Sequence, residues 1–217
     1  MISRLCLISG PEADATACLL SQILARRGRT AMCALGRGYE GELSPWLRAL
    51  EQRRCPFGVC ALPEGIRPDW YVRAGCAVFL SRSAGEAAAG ELASGADAIL
   101  NLDDPEGVPK LPDGVRRWTI SERRNSADVS AKNLRLRPFR TQFEAVTRDD
   151  ICRLSVPLPE GRGLYPGLAA ACAALTFGMG LNESAAALEG AEPVPLGMIP
   201  LPLGGPNALA GYFEAKK

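Results

Sequence analysis

The chain has 217 residues, of which 47% are hydrophobic and 23% charged, enough for one large domain or two small ones with a sizeable core. Its 25 basic and 24 acidic residues leave a net charge of +1, which gives no electrostatic signature of binding to nucleic acid or to an anionic membrane. It contains no histidine, which excludes a Ser-His-Asp triad, a Cys-His dyad and every histidine metal site.

The start of the chain and its cysteines predict a cytoplasmic protein with reduced thiols. The first apolar run breaks at Ser9, Gly10 and Pro11, too early for the roughly 7–15 apolar residues of a signal peptide. No window reaches the about 18 apolar residues of a membrane span. None of the eight cysteines forms a CxxC pair, and Cys55 and Cys60, with four residues between them, come nearest. We therefore expect most cysteines to be small core residues and expect no metal site.

The first three predicted elements form a βαβ unit. Residues 4–9 are a short apolar run closed by Gly10, which is typical of a buried strand. Residues 13–27 carry apolar side chains at helical spacing, and Gly28 ends that helix. Residues 30–35 are a second short apolar run. This order of strand, glycine turn, helix and strand predicts a parallel sheet.

The middle of the chain is less regular. Residues 37–75 contain four prolines, and the sequence leaves the role of this region open. The predicted elements are a short helix over 43–54, a strand over 76–80, a helix over 86–93 and a strand over 98–102. Turn-forming residues at 103–107 end the last of these strands.

The second half of the chain predicts short strands followed by two helices. Four short segments suit a hairpin or meander, at 117–120, 129–136, 142–146 and 151–156. An Ala-rich helix is predicted over 164–179, and a small helix over 182–188 with Asn182 as its N-cap. Residues 192–206 are a loop rich in proline and glycine. The predicted fold class is α/β: a mostly parallel sheet flanked by helices forms a single domain over 1–200, with a small antiparallel β excursion at 117–156 and a tail at 201–217.

Four segments, in this order, resemble a known family. They are ISGPEADAT, NLDDPEG, ADVSAKNLRLRPFRTQFEAV and LSVPLPEGRGLYPGLAAACAALTFGMGLNESAAAL. They resemble the P-loop-type, ATP-binding central domain of the Mur ligases, most of all the branch that adds the third amino acid to UDP-N-acetylmuramoyl-dipeptide. The resemblance covers roughly residues 1–36 and 90–200, and it implies that the family's N- and C-terminal domains are absent from this chain.

The resemblance implies a set of nucleotide-binding positions. In the family, a phosphate-binding loop follows the first strand, an Asn-x-Asp-Asp-Pro turn lies near the nucleoside, and an arginine precedes the Ala-rich helix. Family members use ATP to activate a carboxylate as an acyl phosphate, which an amine then attacks. The family-equivalent positions here are Gly10, Thr16, Asn101, Asp103, Asp104 and Arg162.

The same comparison exposes departures that argue against catalysis. Where the family loop has its lysine this chain has Asp14, where it has a metal-binding threonine this chain has Ala15, and Pro11 removes a backbone N–H from the cradle. The family's histidine segments and modified lysine have no counterpart, since no lysine lies between Met1 and Asn101. The asparagines that follow the family arginine are also missing. We therefore predict a pseudoenzyme with no catalytic residues and no cofactor, acting as an accessory or regulatory protein in peptidoglycan precursor metabolism.

Several alternatives stay open at this point. The loop is also a plain helix N-terminus at which Glu12 and Asp14 complement the helix dipole, and the Asn101 turn is also a strand-ending turn. The chain is alternatively an active or partner-dependent ligase that uses ATP and Mg²⁺, or a purely structural subunit. The expected partners are a complete Mur ligase or a second copy, and neither nucleic acid nor a membrane.

Overall fold

The computed structural model describes residues 4–28, 30–34, 44–52, 54–62, 68–86 and 88–191. Nine strands form one sheet in the order β2-β3-β1-β4-β5-β6-β7-β8-β9. The strands are β1 Arg4–Ser9, β2 Thr30–Ala34, β3 Phe57–Leu62, β4 Cys76–Phe79, β5 Asp97–Asn101, β6 Arg116–Ser121, β7 Val129–Arg137, β8 Arg140–Val146 and β9 Ile151–Val156. The helices are α1 Ala13–Leu24, α2 Ser44–Gln52, α3 Arg82–Glu86, α4 Leu164–Thr176 and α5 Leu181–Glu189, with 3-10 segments at Pro68–Arg73 and Ala89–Glu91.

Strand pairing confirms the predicted fold class. All pairs from β2 through β7 are parallel, whereas β7, β8 and β9 pair antiparallel. The excursion is therefore continuous with the main sheet. Its predicted first segment, 117–120, was wrongly placed in the hairpin or meander, because β6 pairs parallel with both β5 and β7.

Successive side chains along each strand point to opposite faces of the sheet, and each face has its own hydrophobic core. In β1, Cys6 and Ile8 face the core under α1, α4 and α5, while Leu5 and Leu7 face the core that α2 and the 3-10 segments cover. No helix in the described ranges is both long and apolar enough to cross a membrane.

One strand was missed in the sequence. β3 lies between β1 and β2, inside the region predicted to be irregular. In the sequence, the neighbouring Pro56 and the strand's own Gly58 both indicate a loop. In the structure, a Cβ at Gly58 would lie 2.6 Å from a Leu50 methyl carbon, so glycine allows α2 to pack closely on the strand. Residues 35–43, 53 and 63–67 of this region lie outside the described residues.

Helix ends also differ from the predictions. The predicted helix 86–93 is wrong: α3 ends at Glu86, and a short 3-10 segment containing Gly90 follows. Asn182 is not an N-cap, because Gly180 holds that position and its N–H donates to the Glu183 carboxylate at 2.9 Å. The predicted loop 192–206 and tail 201–217 lie outside the described residues.

The cysteines yield a first testable prediction. Seven of the eight cysteines are buried, whereas Cys152 is partly exposed. We expect Ellman's reagent to modify one thiol rapidly in the native protein, and Cys152→Ser to abolish that phase. Burial and the nearby Asp150 charge raise the pKa of Cys152, so its reaction should be slower than that of free cysteine and accelerate as pH rises.

A matched variant controls the thiol experiment. Cys172 lies within α4 and is fully buried, so Cys172→Ser should leave the rapid phase unchanged. Rapid modification of two or more thiols in the native protein would contradict the burial of these side chains.

Candidate functional site

The carboxyl ends of four neighbouring parallel strands meet at one edge of the sheet. β1, β4, β5 and β6 end there, which brings Gly10, Ser81, Asn101 and Ser121 to the same edge. After β1 the chain forms β2 and β3 on one side of β1, and it then crosses to form β4 on the other side. In open α/β sheets, ligands bind at such a switch point, outside the carboxyl ends of the strands. This edge is therefore the candidate site.

Gly10 allows the end of β1 to lie close to the end of β4. Its φ is +106°, and a Cβ there would lie 3.0 Å from the Leu80 Cβ and 3.1 Å from the Ser81 nitrogen. Neither the conformation nor the space suits a larger residue. The Leu80 N–H in turn donates to the Ser9 carbonyl at 3.0 Å. Gly10 thus fixes the entry into the loop that leads to α1.

The loop continues with Glu12, which occupies the N-cap position of α1 in a left-handed backbone conformation with φ 59°. Its side chain makes no capping hydrogen bond, but its carbonyl accepts from the Thr16 N–H at 3.0 Å and from the Thr16 hydroxyl at 3.1 Å. Thr16 is fully buried. Its hydroxyl is thus occupied inside the first helical turn.

The retained arginine lies over this loop and is paired with one of its acids. Arg162 Nε donates to Glu12 Oε1 at 3.0 Å, although 150 residues separate the two in sequence. The turn that carries Arg162 has positive φ at Glu160 and at Gly161. Asp14 lies in the first turn of α1, where its carboxylate accepts the Ala15 N–H at 2.8 Å. The loop therefore presents two carboxylates and one guanidinium, and that guanidinium is already neutralised.

Asp103 is the most connected side chain of the site. Its carboxylate accepts the Ser121 hydroxyl and the Glu122 N–H, each at 2.6 Å, and the Tyr165 hydroxyl at 3.1 Å. Burial alone would raise the pKa of Asp103, but these hydrogen bonds together with one from the Arg123 N–H outweigh it and hold the pKa below its ordinary value. Burial and the Asp103 charge raise the pKa of Tyr165 to about 12. Asp103 thus joins the ends of β5 and β6 to the start of α4.

Asn101 and Asp104 complete the turn after β5. Asn101 Nδ2 donates to the Leu80 carbonyl at 3.2 Å, and its Oδ1 accepts the Asp103 N–H at 3.1 Å. Asp104 accepts the Arg82 N–H and, at 3.3 Å, the Glu106 N–H. These are the bonds of a strand-ending turn, and through them Asn101 and Asp104 tie the turn after β5 to the end of β4 and its loop.

The structure places the six family-equivalent positions at this edge and adds residues that the sequence did not single out. Ser121 and Tyr165 give no sequence signal for their contact with Asp103, since a serine at a strand end and a tyrosine in a first helical turn are common. The pairing of Glu12 with Arg162 is likewise visible only in three dimensions. Among the described residues, no group of three or more Cys, Asp or Glu side chains is arranged to hold a metal ion.

Comparison with known proteins agrees with the predicted resemblance. No family model matches the sequence. A stretch of 100 residues, 46% of this chain, is 32% identical to UDP-N-acetylmuramoyl-L-alanyl-D-glutamate–2,6-diaminopimelate ligase of Halalkalibacterium halodurans. The chain covers 21% of that ligase, so it spans about a fifth of the curated relative it matches.

Solved structures share the fold over nearly the whole chain. A UDP-N-acetylmuramoyl-L-alanyl-D-glutamate–2,6-diaminopimelate ligase matches 93% of this chain and 49% of its own, with a TM-score of 0.72 and 16% identity. A UDP-N-acetylmuramoylalanyl-D-glutamyl-2,6-diaminopimelate–D-alanyl-D-alanyl ligase from Acinetobacter baumannii matches 88% of this chain and 46% of its own, with a TM-score of 0.70 and 17% identity. At such identities these structures show the fold alone. With the curated relative, they confirm the resemblance to the Mur ligases.

Proposed function

We propose that this chain is a non-catalytic, cytoplasmic Mur-ligase-like protein that acts as an accessory or regulatory partner in peptidoglycan precursor metabolism. The observation that carries the proposal is the charge at the loop after β1. Asp14 lies in its helical turn, and Glu12 holds the Arg162 guanidinium at 3.0 Å. The pathway rests on the similarity to ligases whose names describe peptidoglycan precursors.

The loop does not fit a nucleoside triphosphate. A carboxylate about 4 Å from a phosphate charge costs roughly 4 kcal/mol at an effective dielectric constant of about 20, before salt screening. Asp14 adds such repulsion, and the pair of Glu12 with Arg162 carries no net charge, so the Arg162 guanidinium does not offset it. Thr16 is not placed to bind a phosphate, because its hydroxyl is buried and donates to the Glu12 carbonyl.

Isothermal titration with ATP tests this proposal. We expect no saturable heat at millimolar ATP, with or without Mg²⁺, because the loop repels phosphate. The double variant Glu12→Gly, Asp14→Lys frees Arg162 and restores a cation, so it should bind ATP more tightly than the wild type does. Glycine also suits the left-handed conformation at position 12.

A variant that makes the same aspartate-to-lysine replacement elsewhere controls that titration. Asp113→Lys alters an exposed residue before β6, at the opposite edge of the sheet, and should leave ATP binding unchanged. Micromolar, Mg²⁺-dependent binding by the wild type would contradict the proposal.

The second candidate is an ATP-dependent carboxylate–amine ligase that acts with a partner. It is favoured by one observation: the turn from Asn101 to Pro105 keeps the family motif in an ordered arrangement at the carboxyl edge. If the wild type binds ATP, this candidate becomes the first, and Asn101, Asp104 and Arg162 are the residues to replace.

A further inference from the structure

Beyond β5, the described helices cover only one face of the sheet. Side chains of β6–β9 such as Ile120, Val129, Phe143 and Leu154 belong to the core under α4 and α5. The core on the opposite face ends at β5 and includes no residue of β6–β9. In the part of the chain that the structure describes, the second face of these four strands is thus free of a covering helix.

Strand register places six cations on this uncovered face. In β8, Phe143 and Ala145 point into the core under α4, so Gln142 and Glu144 point the other way. Arg140, two residues before Gln142, points the same way. Residues paired across neighbouring strands share a face, which assigns to it the partners of Arg140, Gln142 and Glu144 and the residue opposite Ala98. The basic face, as we name it, carries Arg117, Lys132, Arg135, Arg137, Arg140 and Arg153.

The basic face has few carboxylates to balance these cations. Within β6–β9 the one acidic residue is Glu144, which already accepts from Asn133 at 2.5 Å and from Arg153 at 3.4 Å. The side chains of Arg117, Arg135 and Arg137 are exposed and form no hydrogen bond or ion pair with the residues that the structure describes. The nearly neutral chain thus concentrates positive charge on one surface.

The two arginines nearest the tip of the β7–β8 hairpin are held differently. Arg137 lies directly opposite Arg140 in the strand register. The Arg140 guanidinium donates to the Ser155 hydroxyl on β9 at 2.9 Å and to the Leu188 carbonyl at the end of α5 at 2.8 Å, which directs it across β9 and away from β7. Arg137 is exposed and is left accessible to a carboxylate.

We propose that the basic face docks an acidic surface of a partner protein. Guanidinium groups bind carboxylates through paired N–H donors, which gives such a contact direction as well as charge. Ile151, which is 64% exposed, and Val146 lie on the same face and add apolar contact between the arginines. Protein interfaces combine arginine and apolar side chains in this way. The inference goes beyond the proposed function and does not depend on nucleotide binding.

The geometry favours a protein over the other polyanions. Single-stranded nucleic acid needs a series of aromatic side chains for base stacking, but Trp118 and Phe143 pack against the core under α4. Of the aromatic residues in 116–156, this leaves Phe139, 83% exposed at the tip of the β7–β8 hairpin, as a single stacking position. On the β7–β8 hairpin, the exposed Leu136 lies on the opposite face from Arg135 and Arg137, beside Gly161. A planar bilayer therefore cannot contact that leucine and those arginines together.

Fluorescence anisotropy with a labelled peptide of alternating glutamate and alanine tests the proposal. The wild type should bind the peptide, and binding should weaken as salt rises. Arg135→Glu combined with Arg137→Glu should weaken binding by about tenfold or more, because both guanidinium groups are removed and replaced by repelling charges. The matched control, Arg48→Glu combined with Arg73→Glu, has the same net charge and alters exposed residues on α2 and a 3-10 segment, so binding should change by less than about twofold.

Three results would overturn the proposal. They are no binding of the peptide by the wild type, an equal loss in both double variants, or tighter binding of phosphatidylserine vesicles or duplex DNA than of the peptide. Circular dichroism melting of each variant shows that it is folded, which we expect because the replaced side chains are exposed. ATP titration of the same variants tests the proposed function independently, so the docking proposal and the proposed function can fail separately.

Discussion

Replacement of Asp103 by alanine is expected to lower the free energy of unfolding by about 2–4 kcal/mol. The substitution removes one carboxylate that accepts hydrogen bonds from the Ser121 hydroxyl, the Glu122 N–H and the Tyr165 hydroxyl. Ser121 is fully buried, so its hydroxyl would lose its acceptor out of reach of water. For a chain of this size, the melting temperature should fall by roughly 5–15 °C.

Urea unfolding of two aspartate variants separates this role from a general effect of charge. Asp113 is exposed and precedes β6, so Asp113→Ala should change the free energy of unfolding by less than about 0.5 kcal/mol. An Asp103→Ala protein as stable as the Asp113→Ala protein would show that these hydrogen bonds do not hold the site together.

The contribution of Asp103 to the free energy of unfolding should also depend on pH. Because the folded protein holds the pKa of Asp103 below its ordinary value, folding favours the charged carboxylate. That stabilisation is complete above the unfolded pKa, near 4, and is lost as pH falls through the lower folded pKa. The stability difference between wild type and Asp103→Asn should therefore shrink as pH is lowered from 7 to below 4. A difference that stays constant over this range would contradict the charged state of Asp103.

Local patterns predicted much of the fold, and non-local contacts account for the rest. β1 and β4 follow from continuous apolar runs, and α1 follows from apolar residues at helical spacing. β3 was missed because its glycine and the adjacent proline signal a loop, whereas packing against α2 makes the glycine suitable for a strand. The parallel pairing of β6 likewise depends on its neighbours in the sheet and not on its own sequence.

The site was predictable in its location and not in its internal contacts. The turn after β5 and the loop after β1 must lie near each other once their strands are parallel, since parallel strands end at one edge. The contact between Glu12 and Arg162 depends on left-handed backbone at Glu12 and Glu160, which neither residue type favours. The bond from Tyr165 to Asp103 depends on how closely α4 approaches the sheet.

Glycines at the start of α4 allow this helix to lie close to the sheet. A Cβ at Gly167 would lie 2.4 Å from Val156 Cγ2, and a Cβ at Gly163 would lie 2.9 Å from Val156 Cγ1. Helix propensity alone would make Gly167→Ala stabilising by about 1 kcal/mol. The clash outweighs this gain, because Val156 is fully buried in a packed core and cannot move away. We expect Gly167→Ala to destabilise the protein by about 1–2 kcal/mol and Gly167→Val by about 3 kcal/mol.

Gly90 supplies the matched control, because nothing lies within 4 Å of a Cβ built on it. Gly90→Ala should leave the free energy of unfolding in urea unchanged within about 0.5 kcal/mol. A Gly167→Ala protein as stable as this control would mean that α4 can shift without cost. Because Arg162 and Tyr165 flank the start of α4, a forced shift should also disturb their bonds to Glu12 and Asp103. Tyrosine fluorescence is then expected to change in Gly167→Val and not in Gly90→Ala, since the Tyr165 hydroxyl would lose its carboxylate acceptor.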